Sequence, residues 1–344
     1  MKSVVGREAG EPRDTEQTPV QTAPFPPARR LRRSALLARV NFWNGVPFYL
    51  LIVLIGVVTV AQPNALSYTG FTLLLSAAVP LALATVSQMF IMAAGDIDLG
   101  IGSFVGLINV ITAVVLTKNL GLGIGLYLAL IVAYVLMGLL VHYRQLPAIV
   151  VTLGASFIWL GIAILMLPSP GGLVPQPIVD FFGWSPPFIP GPLVFLVVIG
   201  VIGNLTLVQS RYGAVLRGSG SNPEAIVRAG WSVAVTKAVL YALAGVFAVL
   251  AGLALSASTT SGDANNGSSY VLLSIVAVIV GGGEFVGGVV APMGAVAGAV
   301  VVVLIGSILT FLNFSSDYQI GAQGLILVLA LAVRAVRARR ESVV

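Results

Sequence analysis

From about Pro47 to residue 336 the chain is a succession of apolar runs separated by short polar stretches, and that alternation leaves few folds open. A helix needs about 20 apolar residues to cross a hydrocarbon core about 30 Å thick. Runs of nearly that length lie at 46–62, 71–94, 101–117, 122–142, 148–167, 192–209, 236–257, 271–286, 292–312 and 320–336. They predict an all-α polytopic membrane protein with about ten transmembrane helices. Composition agrees, with 58% of residues hydrophobic and 9% charged, against about 25% charged in soluble domains.

The basic residues set the orientation. If the N-terminus is inside and the spans alternate, the cytoplasmic segments are 1–45, 95–100, 143–147, 210–235, 287–291 and 337–344. Of the 18 Lys and Arg, only Lys118 then falls on the outer side, while Asp180, Asp263 and Asp317 lie in outer loops. This is the asymmetry that orients membrane proteins. Both termini are therefore predicted to be cytoplasmic, in a multi-pass membrane protein. The net charge of +6 reflects topology and not a nucleic-acid surface.

Residues 1–45 form a basic, proline-containing terminus whose composition predicts disorder and whose Arg29, Arg30, Arg32, Arg33 and Arg39 suit contact with anionic lipid. The terminus lacks the short charged region and apolar core of a cleavable signal peptide. Residues 46–336 are read as the membrane domain and 337–344 as a tail. The outer loop 168–191 holds Pro168, Pro170, Pro175, Pro177, Pro186, Pro187 and Pro190. It is expected to be stiff and irregular.

Chemistry is sparse. The absence of cysteine excludes thiolate metal sites and a Cys nucleophile, and His142 is the single histidine. No catalytic group, metal site or cofactor bound by this chain is expected. Gly281-Gly282-Gly283-Glu284-Phe285-Val286-Gly287-Gly288 is glycine-rich, but none of Lys2, Lys118 and Lys237 follows it as a phosphate-binding loop requires. It reads as a tight turn between close-packed helices. Gly102 with Gly106, Gly294 with Gly298, and Ala244, Ala248 and Gly252 have the small-residue spacing that lets membrane helices pack closely.

Two polar stretches stand out. In 210–235, Asn222 is an N-cap, Pro223 suits the first helical turn, Glu224 suits the dipole and Gly230 a stop, after a lead, Gly218 to Ser221, expected to be flexible. So short a helix is not stable alone and must dock on something. In Gly95-Asp96-Ile97-Asp98-Leu99-Gly100-Ile101-Gly102, two aspartates at mid-membrane would cost about 5 to 7 kcal/mol. They belong at a break between spans, either capping the helix that begins near Leu99 or touching substrate or an ion.

These stretches, in this order, resemble the permease subunit of bacterial ATP-binding-cassette sugar importers of the ribose/xylose/galactose type. The landmarks are Gly95 to Gly102, the G-x-N-P-E-A loop from Gly220 to Gly230, and the turn from Gly282 to Gly288; the likeness covers about 45–336. The resemblance implies a homodimer, cytoplasmic ATPase subunits that bind ATP and Mg, and a soluble outer sugar-binding protein. Asn222, Pro223, Glu224, Ala225, Arg228 and Gly230 would form the helix that couples to the ATPase. Such a permease is not an enzyme, and its cargo would be a monosaccharide or related polyol. Gln88, Asp96, Asp98, Asn109 and Gln323 are polar candidates for the path or its gate, with Gln88, Asn109 and Gln323 equally explicable as helix–helix hydrogen bonds. Asp96 stands where the family usually has glycine and Gly100 where serine is common, so Asp96 either alters substrate preference or pairs with a base such as Arg144. The alternative function is a self-sufficient, ion-coupled secondary transporter, which would hold ionisable residues at the midplane.

Overall fold

The computed structural model describes residues 33–285 and 287–315, together with 318, 321, 322, 324, 325 and 328. Residues 1–32 of the terminus expected to be disordered, most of the span at 320–336, Gln323 and the 337–344 tail lie outside them, whereas residues 33–45 of that terminus are helical. The chain forms two units, Met1–Arg39 and Val40–Val344, and the second carries the helical bundle. Among the described residues, six helical segments are long and apolar enough to cross a membrane: Tyr68–Ala93, Leu120–Arg144, Ala148–Met166, Gly191–Gln209, Val233–Thr259 and Pro292–Phe311. Three shorter apolar helices, Pro47–Ala61, Ile101–Leu116 and Tyr270–Val280, fall on three more of the expected runs.

The helices, in order, are α1 (Arg33–Ala61), α2 (Tyr68–Ser76), α3 (Ala78–Ala93), α4 (Ile101–Ile111), α5 (Leu120–Arg144), α6 (Ala148–Met166), α7 (Gln176–Phe182), α8 (Gly191–Asn204), α9 (Gly213–Ser221), α10 (Pro223–Arg228), α11 (Val233–Thr259), α12 (Tyr270–Val280) and α13 (Pro292–Phe311). One expected span is split into α2 and α3 at Ala77, because Pro80 has no N–H to donate and crowds the carbonyl of Ser76 four residues back. Side-chain caps start several helices: Ser67 accepts from the Gly70 N–H, Asn119 from Leu122 and Ser232 from Val235.

The core is α3, whose sixteen residues are all buried. It packs along α11, where the Ser87 hydroxyl donates to the Ala244 carbonyl at 2.8 Å, and also against α8, α12 and α13. Gly252 of α11 lies against Ile108, and Gly298 of α13 against the Ala277 carbonyl, so these small residues do bring helices together.

Gly102 and Gly106 have a different partner. α12 has 11 residues, about 16 Å of helix at 1.5 Å per residue, which is too short to cross. The preceding 260–269 segment supplies the missing depth and packs its backbone on α4. A Cβ on Gly102 would sit 2.6 Å from the Gly267 carbonyl oxygen, and one on Gly106 would sit 2.3 Å from that of Ala264. Irregular backbone at such depth is tolerated only where protein covers it. Asn109 secures the segment, donating to Ser256 Oγ at 2.9 Å and the Ser261 carbonyl at 3.0 Å, and accepting from the Asp263 N–H at 2.7 Å.

The proline-rich 168–191 loop is less irregular than expected. Pro175 and Pro177 start α7 instead of preventing it, since a missing N–H costs nothing in a first turn. Phe181 and Phe182 of α7 cluster with Phe195 of α8 at centroid distances of 5.0 to 5.5 Å. Replacing Gly106 with Val drives side-chain atoms into the Ala264 carbonyl and is expected to cost about 1–3 kcal/mol, read as a lower thermal midpoint in detergent. Gly154→Ala, with open space at its Cβ, is the matched control and is expected not to lower that midpoint.

Candidate functional site at the break between α3 and α4

The chain leaves α3 through a left-handed glycine. Gly95 has φ +79°; its N–H bonds the Met92 carbonyl at 3.0 Å, and the Asp96 N–H bonds that of Ile91 at 3.2 Å. This paired closure satisfies two orphan carbonyls of the helix. Residues 96–100 then run without helical bonding inside the bundle, so their polar backbone must find other partners.

Those partners are side chains from neighbouring helices. The Gln88 amide of α3 is oriented to donate to the Asp98 carbonyl at 3.1 Å and to accept from the Asp98 N–H at 3.2 Å. Thr152 of α6 accepts from the Leu99 N–H at 3.0 Å, and its hydroxyl lies 3.3 Å from the Ile97 carbonyl. Asp98 is fully buried. One carboxylate oxygen accepts from the Gly100 N–H at 2.6 Å, and the other accepts from the Tyr134 hydroxyl of α5 at 2.7 Å. The Tyr134 ring is fixed in turn, edge-on to Phe104 at 4.7 Å.

Asp96 sits in a second cluster. Its Oδ2 lies 2.8 Å from Lys237 Nζ and accepts from the Tyr241 hydroxyl at 2.9 Å, both on α11. The base that pairs with Asp96 is therefore Lys237, in place of the expected Arg144.

The other two motifs converge on the same point. A Cβ on Gly220 would sit 2.1 Å from the Ala93 carbonyl oxygen, and one on Gly287 would sit 2.7 Å from Gly95 Cα and 2.8 Å from the Gly220 carbonyl carbon. The break, the end of α9 and the 281–291 turn thus meet backbone to backbone at Gly95, Gly220 and Gly287. Gly218 to Ser221 is not a flexible lead but the last turns of α9. Its glycines serve close approach: Gly220 against the break, and Gly218 under Ile226, whose Cδ1 would lie 2.6 Å from an added Cβ.

From that contact α10 projects. Asn222 Oδ1 accepts from the Ala225 N–H at 3.0 Å. Gly230, at φ +82°, donates to the Val227 carbonyl while the Trp231 N–H bonds that of Ile226, both at 3.0 Å, the same closure that ends α3. Ile226 is the buried side chain of α10, whereas Pro223, Glu224, Ala225, Val227 and Arg228 are exposed. Glu224 pairs with Arg228 at 3.1 Å in the open, where such pairs contribute little.

The comparisons with known proteins fit this arrangement. The family described as branched-chain amino acid transport system / permease component matches residues 70–331. The chain belongs to that permease family. Similar to this permease are a ribose import permease protein of Haemophilus influenzae, 26% identical over 83% of this chain and 90% of the relative, and an L-arabinose transport system permease protein of Escherichia coli, 30% identical over 71% and 76%. An autoinducer 2 import system permease protein of Yersinia enterocolitica is 26% identical over 83% and 81%. No solved structure matches.

Of the polar residues singled out in the sequence, the permease brings Gln88, Asp96 and Asp98 together, whereas Asn109 anchors the 260–269 segment. Tyr134, Thr152, Lys237 and Tyr241 carried no site signal in the sequence, since they are scattered polar side chains in apolar helices and the sequence does not show what faces them. Thr152→Val leaves the Leu99 N–H without an acceptor and is expected to cost about 1–3 kcal/mol, measured by thermal unfolding in detergent. Thr85→Val, which removes a hydroxyl bonded only within its own helix, is expected to cost less.

Proposed function

We propose that this permease is the membrane subunit of an ATP-driven importer that carries a monosaccharide or related polyol, working as a homodimer with separate ATPase subunits and a soluble binding protein. The observation that carries the reading is α10: a capped, six-residue helix, exposed except for Ile226 and joined through α9 to the break between α3 and α4 by direct backbone contact. ATP and Mg belong to the partner ATPase in this scheme.

The relatives' names support the cargo class, since they specify ribose, L-arabinose and autoinducer 2. The family description names branched-chain amino acids, and a shared fold does not fix cargo. The sugar assignment therefore rests on the relatives. Ten crossings with both termini cytoplasmic agree with nine apolar helices among the described residues, an apolar run at 320–336 and the near-absence of Lys and Arg from the outer side.

In this scheme α10 seats in a groove of the ATPase. Nucleotide-driven closure of the ATPases moves α9 and α10, and the close contact at Gly95, Gly220 and Gly287 passes that movement to α3, α4 and the 281–291 turn. The permease forms no covalent bond; its work is to be differently stabilised in outward- and inward-open states. The ion-coupled alternative lacks support at Asp98, whose oxygens are already occupied by Tyr134 and backbone amides.

The double variant Glu224→Arg/Ala225→Arg changes the exposed first turn of α10 without touching Ile226. It is expected to abolish co-purification with the cognate ATPase while leaving the folded yield unchanged; undiminished co-purification would overturn the coupling role. Because the chain has no cysteine, Ser221→Cys gives a clean topology probe. It is expected to react with impermeant thiol reagents in inside-out but not right-side-out vesicles.

A further inference from the structure

We propose that Asp96 and Lys237 are positioning residues that hold α11 against the α10 contact point, so that their ion pair fixes the resting position of α11 along its length. The inference rests on the importer reading above and adds a specific element to it.

The geometry is a clamp. Gly95 touches Gly220 and Gly287 through backbone, so Asp96, the next residue, is attached to the place where movement of α9 and α10 enters the bundle. Its Oδ2 receives Lys237 at 2.8 Å and the Tyr241 hydroxyl at 2.9 Å. These two are four residues apart and share one face of α11, so rotation or sliding of the helix separates both at once. The side chains of Lys237 and Asp96 are 14% and 11% exposed, which limits replacement of the contact by water. Lys237 is the one charged residue among the 27 of α11. Removing either partner leaves the other charge buried and unpaired, and that state seeks a new helix position.

The rest of α11 transmits the position. Tyr241 is packed on Gly138 of α5, and a Cβ there would lie 2.6 Å from the tyrosine ring. Gly252 is locked on Ile108 of α4. Close-packed helices shift as units, not by local bending. The far end of α11 lines a small cavity with Ser76, Pro80, Phe182, Ala257 and Ser258. Ala257 is 20 residues from Lys237, about 30 Å along the helix, so a change there reports movement of the whole helix.

The test uses the permease with its ATPase in nanodiscs, carrying Ala257→Cys as the sole cysteine and without the binding protein. Two quantities are read: the rate of labelling by a charged methanethiosulfonate reagent and the basal rate of ATP hydrolysis. Asp96→Asn and Lys237→Gln are each expected to change the labelling rate by about fivefold or more, the lower range of coupling between sites, and to raise basal hydrolysis. The exchanged pair, Asp96→Lys/Lys237→Asp, is expected to return both toward the parent values. Unchanged labelling and hydrolysis in both single variants would overturn the proposal. Loss of folded protein in both singles and in the exchange would also overturn it, because the pair would then be only a folding contact. If labelling in the parent complex does not respond to trapped nucleotide, the importer reading itself fails, a result distinct from either of these.

Discussion

An irregular stretch of backbone inside an apolar bundle must have every polar group paired, and the rest of this structure is arranged around that constraint. Between α3 and α4 five residues leave helical bonding, and an unsatisfied peptide group in a hydrocarbon setting costs several kcal/mol. The Gln88 amide, the Thr152 hydroxyl and the Asp98 carboxylate supply the missing partners, and Tyr134 secures the carboxylate. Because those side chains come from α3, α6, the break itself and α5, the break ties several helices to one another. It is a strut and not a loose joint.

That rigidity matters for a protein moved from outside. Membrane helices gain little from burying apolar surface against one another, since lipid is equally apolar, and depend on close packing and hydrogen bonds. Here glycine provides the packing in two ways. Gly252 and Gly298 let helices meet, whereas Gly95, Gly220 and Gly287 let three non-helical or terminal backbones touch where α10 joins the bundle. A contact without side chains has no rotamers to absorb a displacement. The exposed Glu224–Arg228 pair on α10 adds little to stability by comparison, so the outer face of that helix is free to be shaped by recognition.

Much of this was legible in the sequence, and the parts that were not share a cause. Runs of about 20 apolar residues reveal spans because hydrocarbon thickness imposes their length. Asn222, Pro223 and Gly230 reveal α10 because capping is local chemistry. Glycine is ambiguous: Gly218 and Gly220 read as flexibility, and Gly102 and Gly106 as a helix-pairing motif. Which role each glycine plays depends on what lies opposite, whether a near neighbour, as with Gly218 and Ile226, or a segment more than a hundred residues away, as with Gly106 and Ala264. Choosing Lys237 over Arg144 as the partner of Asp96 likewise required the packing of α11 on α3. Prolines misled in the 168–191 loop because the same residue that breaks a helix interior starts α7 without cost.

The central claim is that residues 96–100 form a strut held by the hydrogen bonds of Gln88, Thr152 and Asp98, and amide hydrogen exchange of the lipid-reconstituted permease tests it most directly. The amides of Asp98, Leu99 and Gly100 are expected to exchange as slowly as those in the middle of α3. Exchange at those positions as fast as at the exposed Ser185, Phe188 and Ile189 amides of the proline-rich loop would contradict the account.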